Sequence, residues 1–369
     1  MDTKLMDTKY MYRAMELAEK GRGRTNPNPL VGAVVVRDGK ITGEGYHEFI
    51  GGPHAEINAL KQAGDKARGA TVFVTLEPCC FHGRTPPCTE ALKKAGIGEV
   101  VIGLEDPNPR VSGRGIDELR KEDISVEVGL LSEKIASQNE VYVKYITTGY
   151  PFVLMKAAMS LDGKIAKDRN RGMVISNQKS REAVHILRDQ YDAIVVGIGT
   201  ICADDPLLTA RIKDKQSKNP LRVVVDSTLR IPIDSRIVET AEEVETLVVC
   251  AKAREDKERL LRDKGIEVLE IPGKNGMVDL AALLKELGRR EISSVLWEGG
   301  SRLNAAALSA GIVDKVLLFV APILIGSQKA SGLVDGSFEK ADRIYQLCIS
   351  NTQMIEGDLV VEAYPTNRK

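Results

Sequence analysis

The sequence predicts an α/β protein that consists of two domains in tandem. Short apolar runs alternate with amphipathic stretches along the whole chain, and a breaker cluster, Gly149-Tyr150-Pro151, separates two such series. The length of 369 residues agrees with this division, because domains typically contain about 100–200 residues. We therefore expect one domain over residues 1–148 and a second over residues 149–369.

In the first domain, amphipathic helices alternate with apolar strands. The first helix presents Met11, Ala14 and Ala18 on one face and ends at Gly21. A hairpin follows, because Asp38-Gly39 is a strong turn signal between two apolar runs. The predicted elements are helices at Thr8–Lys20, Ala55–Gln62, Thr89–Lys94, Asp117–Lys121 and Ser132–Ile146, and strands at Leu30–Val36, Ile41–Tyr46, Thr71–Leu76, Val100–Leu104 and Ser125–Val128.

The second domain contains a series of strands rich in Val, Ile and Leu, with helical stretches between most of them. Such near-continuous apolar strands are typical of a mostly parallel sheet that is buried on both faces. The predicted strands are Phe152–Met155, Ala193–Val196, Arg222–Asp226, Thr246–Cys250, Glu267–Ile271, Ser294–Trp297, Val316–Val320 and Leu359–Ala363.

Composition and charge exclude several classes of protein. Lys and Arg together number 52, as do Asp and Glu, so the chain has no net charge that would attract nucleic acid or an anionic membrane. Its longest apolar run, Val316–Ile325, contains Pro322 and has about half of the roughly 20 residues that a membrane helix needs. The N-terminus has no signal-peptide pattern, and six cysteines in a chain of this kind favour free thiols. We expect a cytoplasmic protein that acts on small molecules, with no nucleic-acid or membrane partner.

Three residues of metal-ligand types, one histidine and two cysteines, lie at the ends of predicted elements in the first domain. His54 precedes a predicted helix, Cys79 follows a strand, and Cys88 enters the next helix. One imidazole and two thiolates supply three ligands of a zinc ion and leave the fourth position to water, as in catalytic zinc sites. Glu56 lies two residues beyond His54, so on a helix it points elsewhere and is better placed beside the water than as a ligand. A carboxylate there can accept and return a proton.

The pattern His-x-Glu followed by Pro-Cys and a further Cys is the signature of zinc nucleobase deaminases. Here eight residues separate Cys79 from Cys88, where the signature has two. Cys79 with Cys80 is a poor alternative pair, because adjacent thiolates rarely reach one tetrahedral ion without strain, and His82 is a competing ligand in the loop. A purely structural role for these residues does not account for Glu56.

Several longer motifs carry a resemblance to a known family. They are Asn26–Gly32 (NPNPLVG), His54-Ala55-Glu56, Thr75–Cys88 (TLEPCCFHGRTPPC), Asp106-Pro107-Asn108-Pro109 and Gly113-Arg114-Gly115. Over nearly the whole chain, the sequence resembles the bifunctional riboflavin-biosynthesis deaminase-reductases, the RibD/RibG family. The resemblance implies a cytidine-deaminase-like α/β/α domain followed by a dihydrofolate-reductase-like α/β domain. It also implies zinc-dependent deamination of 2,5-diamino-6-(5-phosphoribosylamino)-pyrimidin-4-one, with Asn28 contacting the substrate.

The second domain continues this resemblance and has its own ligand-binding signals. The matching segments are Lys156, Ser160–Lys164, Gly197–Thr200, Ala203–Pro206 and Trp297–Ser301. In the last of these a strand ends in two glycines before a helix, which allows close approach of the backbone to a ligand and offers free N–H groups to a phosphate. No complete G-x-G-x-x-G with a following acidic residue occurs, which disfavours a Rossmann NAD site.

By resemblance, this domain reduces the ribosyl group of 5-amino-6-(5-phosphoribosylamino)uracil with NADPH. The implied NADPH contacts are Ala158, Thr200, Asp204, Gly300, Ser301, Arg302, Leu303, Asn304, Ala305 and Ala306. The implied contacts of the phosphorylated pyrimidine riboside are Lys156, Gly172, Arg188, Leu208, Arg211 and Glu298. The segment Val174-Ile175-Ser176-Asn177 departs from the family's usual Trp-Ile-Thr-Ser.

Two rival functions can be stated. One is a nucleotide deaminase with a non-catalytic, ligand-binding C-terminal domain, which neutral charge, few aromatics and the long cysteine spacing disfavour. The other is a zinc-stabilised regulatory protein, which Glu56 disfavours. We expect the enzyme to form a homo-oligomer.

Overall fold

The computed structural model describes residues 3–81, 86–168, 172–335 and 344–366. The chain divides into two compact units, Met1–Gly149 and Tyr150–Lys369. Among the described residues, no helix combines the length and the apolar character that a bilayer span requires.

The first unit is a five-stranded sheet with helices on both faces. Its strand order is β2-β1-β3-β4-β5, in which β1 runs antiparallel to β2 and β3, while β3, β4 and β5 are parallel. The elements are α1 (Thr3–Glu19), β1 (Gly32–Arg37), β2 (Lys40–Tyr46), α2 (Ala55–Ala63), β3 (Thr71–Leu76), α3 (Cys88–Ala95), β4 (Glu99–Leu104), α4 (Arg114–Lys121), β5 (Ser125–Val128), α5 (Ser132–Gln138) and α6 (Glu140–Thr148).

Two helices of the first unit differ from their predicted bounds. The first helix begins at Thr3, five residues before the predicted start. The helix predicted over Ser132–Ile146 is two helices, α5 and α6, which meet at Asn139. The Asn139 side chain accepts a hydrogen bond from Leu30 N at 2.8 Å and donates one to Leu30 O at 3.1 Å. Leu30 and Asn139 are 109 residues apart in the sequence, so local periodicity could not predict their contact.

The second unit contains a nine-stranded sheet and a two-stranded sheet. The large sheet has the order β11-β10-β9-β8-β12-β6-β13-β16-β15 and is parallel from β11 to β13, which confirms the predicted mostly parallel sheet. The elements are β6 (Phe152–Ser160), β7 (Lys164–Ala166), α7 (Gln178–Gln190), β8 (Ala193–Gly197), α8 (Ile198–Asp204), β9 (Leu221–Val225), α9 (Arg236–Glu239), β10 (Thr246–Cys250), α10 (Glu255–Arg262), β11 (Glu267–Glu270), α11 (Leu280–Arg289), β12 (Ser294–Trp297), α12 (Ser301–Ser309), β13 (Lys315–Ala321), β14 (Ser331–Gly332), β15 (Leu347–Ile355) and β16 (Asp358–Pro365).

The sequence did not predict β15, and it predicted only the first half of β6. Among the described strands, β15 lies at the edge and pairs with β16 alone, and its residues are nearly all exposed, so it has no buried apolar run to detect. The second half of β6 begins at Lys156, a charged residue that interrupts the apolar pattern.

The cores explain where functional side chains can lie. In the first unit, Val35 and Val72 pack on the face covered by α2, while Val34 and Phe73 pack on the face covered by α1. In the second unit the core is centred on the parallel strands and includes the fully buried Trp297. Because the carboxyl ends of parallel strands meet at one edge of a sheet, β6, β8 and β12 bring their following loops together there.

Candidate active sites

A cluster of one histidine and two cysteines lies where β3, α2 and α3 converge. His54 directly precedes α2, Cys79 follows β3, and Cys88 is the first residue of α3. Their ligand atoms all lie within 4.8 Å of one another. His54 Nδ1 is 3.2 Å from Cys88 Sγ and 3.5 Å from Cys79 Sγ. Tetrahedral zinc, with bonds of about 2.0 Å to nitrogen and 2.3 Å to sulfur, separates such donors by about 3.5 Å, so this donor set fits a zinc ion.

The surroundings of the cluster favour a thiolate at Cys79. A hydrogen bond from the Cys88 thiol lowers the pKa of Cys79, with further help from His54 and the Cys88 backbone N–H. The neighbouring Cys80 lies outside the cluster, and burial raises its pKa. The structure therefore brings together Cys79 and Cys88 rather than Cys79 and Cys80. The alternative ligand His82 lies outside the described residues.

Glu56 lies in the first turn of α2 and is only 3% exposed. It is not a member of the ligand cluster, and its carboxylate hydrogen-bonds to Cys88. Burial, followed by the charge of Cys79, raises the pKa of Glu56. A buried carboxyl group beside a potential metal site, with a raised pKa, is suited to accept a proton and to release it again.

His47 is a buried residue of this site that sequence reasoning missed. Its Nε2 is 3.2 Å from the Asn28 amide nitrogen, and its Nδ1 is 3.1 Å from the Pro53 carbonyl oxygen. Burial lowers the pKa of His47, so the neutral ring can donate from Nδ1 to Pro53 and accept from Asn28. The ring also lies 5.4 Å from the His54 ring, nearly perpendicular to it. These contacts link Asn28 to the metal-ligand cluster; a single histidine after a strand gave no distinguishing signal in the sequence.

Glu77 anchors a neighbouring loop beside the cluster. Its carboxylate accepts hydrogen bonds from four backbone N–H groups, those of Asp106, Gly113, Gly115 and Ile116. Asp106, Gly113 and Gly115 belong to the two motifs that follow β4, Ile116 comes directly after the second motif, and Glu77 itself directly precedes Pro78-Cys79. The loop is thereby held next to the segment that carries the first cysteine.

In the second unit, an ion-paired trio lies beside the carboxyl end of the sheet. The Arg188 guanidinium binds both oxygens of Glu298, at 2.9 and 3.0 Å, and Lys156 Nζ lies 3.5 Å from Glu298 Oε2. These side chains are 12–13% exposed. Burial opposes ionisation of Glu298, but Arg188 and Lys156 outweigh it and hold the pKa of Glu298 at about 2. Lys156, Arg188 and Glu298 thus remain charged although they are largely buried.

A cavity of about 600 Å³ opens next to this trio. Five residues that the sequence assigned to ligand contacts line it, namely Lys156, Ala158, Arg188, Leu208 and Arg211. Residues that the sequence did not single out also line it: Arg181, His185 and Arg236. The signal for two of them was present, because Arg181, His185 and Arg188 recur at spacings of four and three, which is one face of a helix.

Most of the predicted cofactor residues belong to α8 or to α12 and its N-cap, two helices that follow the neighbouring parallel strands β8 and β12, whereas Ala158 lies in β6. A Cβ at Gly300 would lie 4.0 Å from Thr200 Oγ1, and one at Gly197 would lie 3.5 Å from the Leu303 side chain. The first N–H groups of α12 have no partner within the helix, and no side chain caps them at Gly300. Ser301, Arg302, Asn304, Ala305 and Ala306 lie on the same helix.

Gly299 packs tightly against side chains of the strand before it and the helix after it. A Cβ there would lie 2.6 Å from Asn304 Oδ1 and 3.0 Å from Trp297 Nε1, closer than real side chains allow. Within the described part of the chain, these two buried polar atoms have no hydrogen-bond partner. The N-terminus of α12, whose first N–H groups are free to donate, fits a phosphate-bearing cofactor such as NADPH.

Two predicted contacts lie together although they were assigned to different ligands. A Cβ at Gly172, assigned to substrate, would overlap the Asp204 carboxylate, assigned to cofactor. Neither is among the residues that line the cavity. Asn177, in the segment that departs from the family's usual residues, caps α7 by accepting a hydrogen bond from Ser180 N at 2.9 Å.

Comparisons with known proteins cover nearly the whole chain. Residues 5–104 match the cytidine and deoxycytidylate deaminase zinc-binding region, and residues 151–361 match the RibD C-terminal domain. The chain is 44% identical to riboflavin biosynthesis protein RibD of Actinobacillus pleuropneumoniae, over 97% of this chain and 95% of that protein. It is 42% identical to RibD of Escherichia coli K12, over 89% of this chain and 91% of that protein.

Solved structures give the same result. Acinetobacter baumannii RibD superimposes with a TM-score of 0.89 at 36% identity, covering 99% of this chain and 100% of that one. A diaminohydroxyphosphoribosylaminopyrimidine deaminase/5-amino-6-(5-phosphoribosylamino)uracil reductase from Thermotoga maritima superimposes with a TM-score of 0.85 at 36% identity. That match covers 98% of this chain and 99% of that one.

Proposed function

The chain belongs to the RibD family of bifunctional riboflavin-biosynthesis enzymes, and on this premise we propose which of its residues carry the two reactions. The enzyme deaminates 2,5-diamino-6-(5-phosphoribosylamino)-pyrimidin-4-one with the help of zinc. It then reduces the ribosyl group of 5-amino-6-(5-phosphoribosylamino)uracil to a ribityl group with NADPH. The observation that carries the assignment of roles is the convergence of His54, Cys79 and Cys88 beside the buried Glu56.

In the first reaction, His54, Cys79 and Cys88 hold the zinc ion. When bound, the ion supplies Lewis-acid activation of a water molecule. Glu56 would accept a proton from the water whose oxygen adds to the ring carbon and would pass it to the departing amine; the C–N bond breaks, ammonia leaves, the second water proton goes to the ring nitrogen, and a carbonyl oxygen replaces the amine. Asn28, held by the neutral His47, contacts the pyrimidine.

In the second reaction, the start of α12, with Thr200, Ala158 and Asp204, holds NADPH, which supplies a hydride. The cavity beside it takes the phosphorylated riboside. Lys156, which lines the cavity and contacts Glu298, is placed to donate hydrogen bonds to the sugar. Arg188 donates two hydrogen bonds to Glu298, from Nε and Nη2, and so orients that carboxylate. Arg188 also lines the cavity.

The two reactions are assigned to separate domains, residues 1–148 for deamination and residues 149–369 for reduction. The division of the chain into compact units at Gly149 and Tyr150 supports this boundary. So does the position of each proposed site, because all proposed zinc ligands precede the boundary and all proposed NADPH contacts follow it.

Assembly and location are part of the same proposal. Within the part of the chain that the structure describes, the outer edge of β15 has no strand partner, and the strand exposes Ile349 (61%) and Met354 (64%), which supports a homo-oligomer formed through this edge. Light scattering that returns the mass of one chain would contradict it. None of the six cysteines forms a disulfide, which supports a cytoplasmic location.

One assay tests the two-site assignment. We expect the purified protein to convert the diaminopyrimidinone phosphate to the deaminated riboside without NADPH, and to the ribityl product with NADPH. Removal of zinc with a chelator should stop deamination but leave reduction of supplied deaminated substrate unchanged, because no proposed NADPH or reductase contact is a metal ligand. Products are identified by mass. If chelation abolished NADPH oxidation with deaminated substrate while the protein stayed folded, the separate sites would be wrong.

The zinc ligands can be distinguished from their neighbour by matched substitutions. We expect Cys88→Ser to lower bound zinc well below one per chain, because Cys88 belongs to the cluster. The control, Cys80→Ser, makes the same chemical change outside the cluster and should leave zinc near one per chain. Metal analysis after dialysis measures both. Full zinc in Cys88→Ser with loss in Cys80→Ser would show that the other cysteine is the ligand.

A further inference from the structure

We propose that Arg236 is a specificity-determining residue of the reduction site, where together with Arg211 it binds the phosphate group and so selects phosphorylated over unphosphorylated pyrimidine ribosides. This inference rests on the proposed function of the cavity and adds a residue to it. Arg236 comes from the four-residue helix α9 and lines the cavity together with Lys156, Arg188 and Arg211.

The charges around the cavity fall into two groups. The inner group is the buried trio, in which Glu298 offsets much of the charge of Lys156 and Arg188. The outer group consists of three exposed arginines, Arg181, Arg211 and Arg236. Among the described residues, no carboxylate forms an ion pair with Arg211 or Arg236. The described residues that line the cavity include no Asp or Glu, so its outer part is a concentration of positive charge.

The three outer arginines are not equivalent. Arg181 donates to the Ser176 carbonyl oxygen at 2.7 Å, which occupies part of its guanidinium. Arg211 donates to Thr209 Oγ1 at 2.6 Å and lies near His185. For the Arg236 guanidinium, no hydrogen bond is formed with any described residue. Its full set of donors is thus available to a ligand.

Arg236 is nevertheless held in place through its backbone. Its N–H donates to Asp205 Oδ1 at 2.8 Å. Asp205 lies between Asp204, a proposed NADPH contact, and the cavity wall that begins at Pro206. This hydrogen bond fixes the Arg236 backbone to the segment between the two proposed ligand sites, while the guanidinium can still orient toward a ligand.

Arg236 is also close enough to Arg211 for their charges to interact. Partial burial, and then the positive charges of Arg188 and Arg236, lower the pKa of Arg211. Repulsion between the two positive charges raises the free energy of the unliganded site. A phosphate dianion bound between them would remove this repulsion. Guanidinium forks bind phosphate oxygens with two hydrogen bonds each, so a pair of arginines suits a terminal phosphate better than a neutral sugar.

The test compares the deaminated riboside with and without its 5-phosphate in wild-type protein and in Arg236→Met, which keeps the length of the side chain but removes its charge. We expect Arg236→Met to lower kcat/KM about tenfold for the phosphorylated substrate, mainly through KM, and to leave kcat/KM for the unphosphorylated riboside unchanged. Arg236→Lys should recover part of the loss. Arg262→Met, which removes an exposed arginine paired with Glu258 on α10, is the matched control and should change neither value.

Equal losses for both substrates, or no loss for either, would overturn the role of Arg236. A direct binding measurement separates this result from a failure of the proposed function. If the wild-type protein oxidised no NADPH with either substrate, calorimetry with ribose 5-phosphate and ribose would still decide the matter. Tighter binding of ribose 5-phosphate that weakens about tenfold in Arg236→Met supports the inference, and equal binding of both sugars, or an unchanged affinity in the variant, overturns it.

Discussion

Replacing Glu56 by Gln is expected to lower deaminase turnover by about 10²–10⁴-fold while zinc stays bound. The amide has nearly the shape of the carboxyl group but cannot accept a proton from water. Glu56 is buried next to Cys88 yet lies outside the cluster of His54, Cys79 and Cys88, so its loss should not remove a ligand. Release of ammonia and bound zinc per chain are the two measurements.

The control for Glu56→Gln is the second reaction of the same protein. Reduction of supplied deaminated substrate should remain at the wild-type rate, because Glu56 precedes the domain boundary. Asp65→Asn, on the first unit's surface just after α2, makes the same type of change without touching the cluster. Near-normal ammonia release from a zinc-replete Glu56→Gln protein would contradict the proposed proton transfer.

Replacing Glu298 by Gln is expected to lower kcat/KM for reduction by about 10²-fold, with deamination unchanged. The substitution removes the only carboxylate that pairs with Lys156 and Arg188 among the described residues, and leaves two sheltered cations close together. Breaking a buried ion pair in this way typically costs about 3–5 kcal/mol, part of which appears as misplaced Lys156 and Arg188 rather than as unfolding.

A pH profile distinguishes this effect from simple destabilisation. Burial already lowers the pKa of Lys156, and the charge of Glu298 opposes that shift. Without the carboxylate, the pKa of Lys156 should fall further, so the alkaline limb of the reduction profile should move to lower pH. Glu286→Gln removes a carboxylate that pairs with Arg289 and Arg290 on α11 and should not move this limb. Unchanged kcat/KM and an unchanged profile in Glu298→Gln would contradict the role of the trio.

Whether an element could be predicted depends on how far apart its interacting residues lie in the sequence. The hairpin at Asp38-Gly39 is confirmed, with both residues at positive φ (50° and 71°), because a tight turn depends on its own two residues. The α/β class and the tandem arrangement are confirmed, as are the deaminase-like first domain and the dihydrofolate-reductase-like second domain. Strand β15 escaped prediction because it buries almost nothing.

By itself, the sequence determined the fold class, the family and the chemistry of the first site. The residues that define that chemistry belong to short sequence motifs, so His54, Glu56, Cys79 and Cys88 could be named before any contact was known. Which cysteines converge and what holds Asn28 in place depended on the path of the chain in space.

Only the tertiary structure decided how the charges of the second site are shared. Arg188 and Glu298 are 110 residues apart in sequence, yet they form a bidentate pair, while Arg211 and Arg236 remain without a carboxylate among the described residues. An arginine looks the same in a sequence whether its charge is paired or available. Electrostatic interaction depends on distance and solvent exposure, and folding alone sets both.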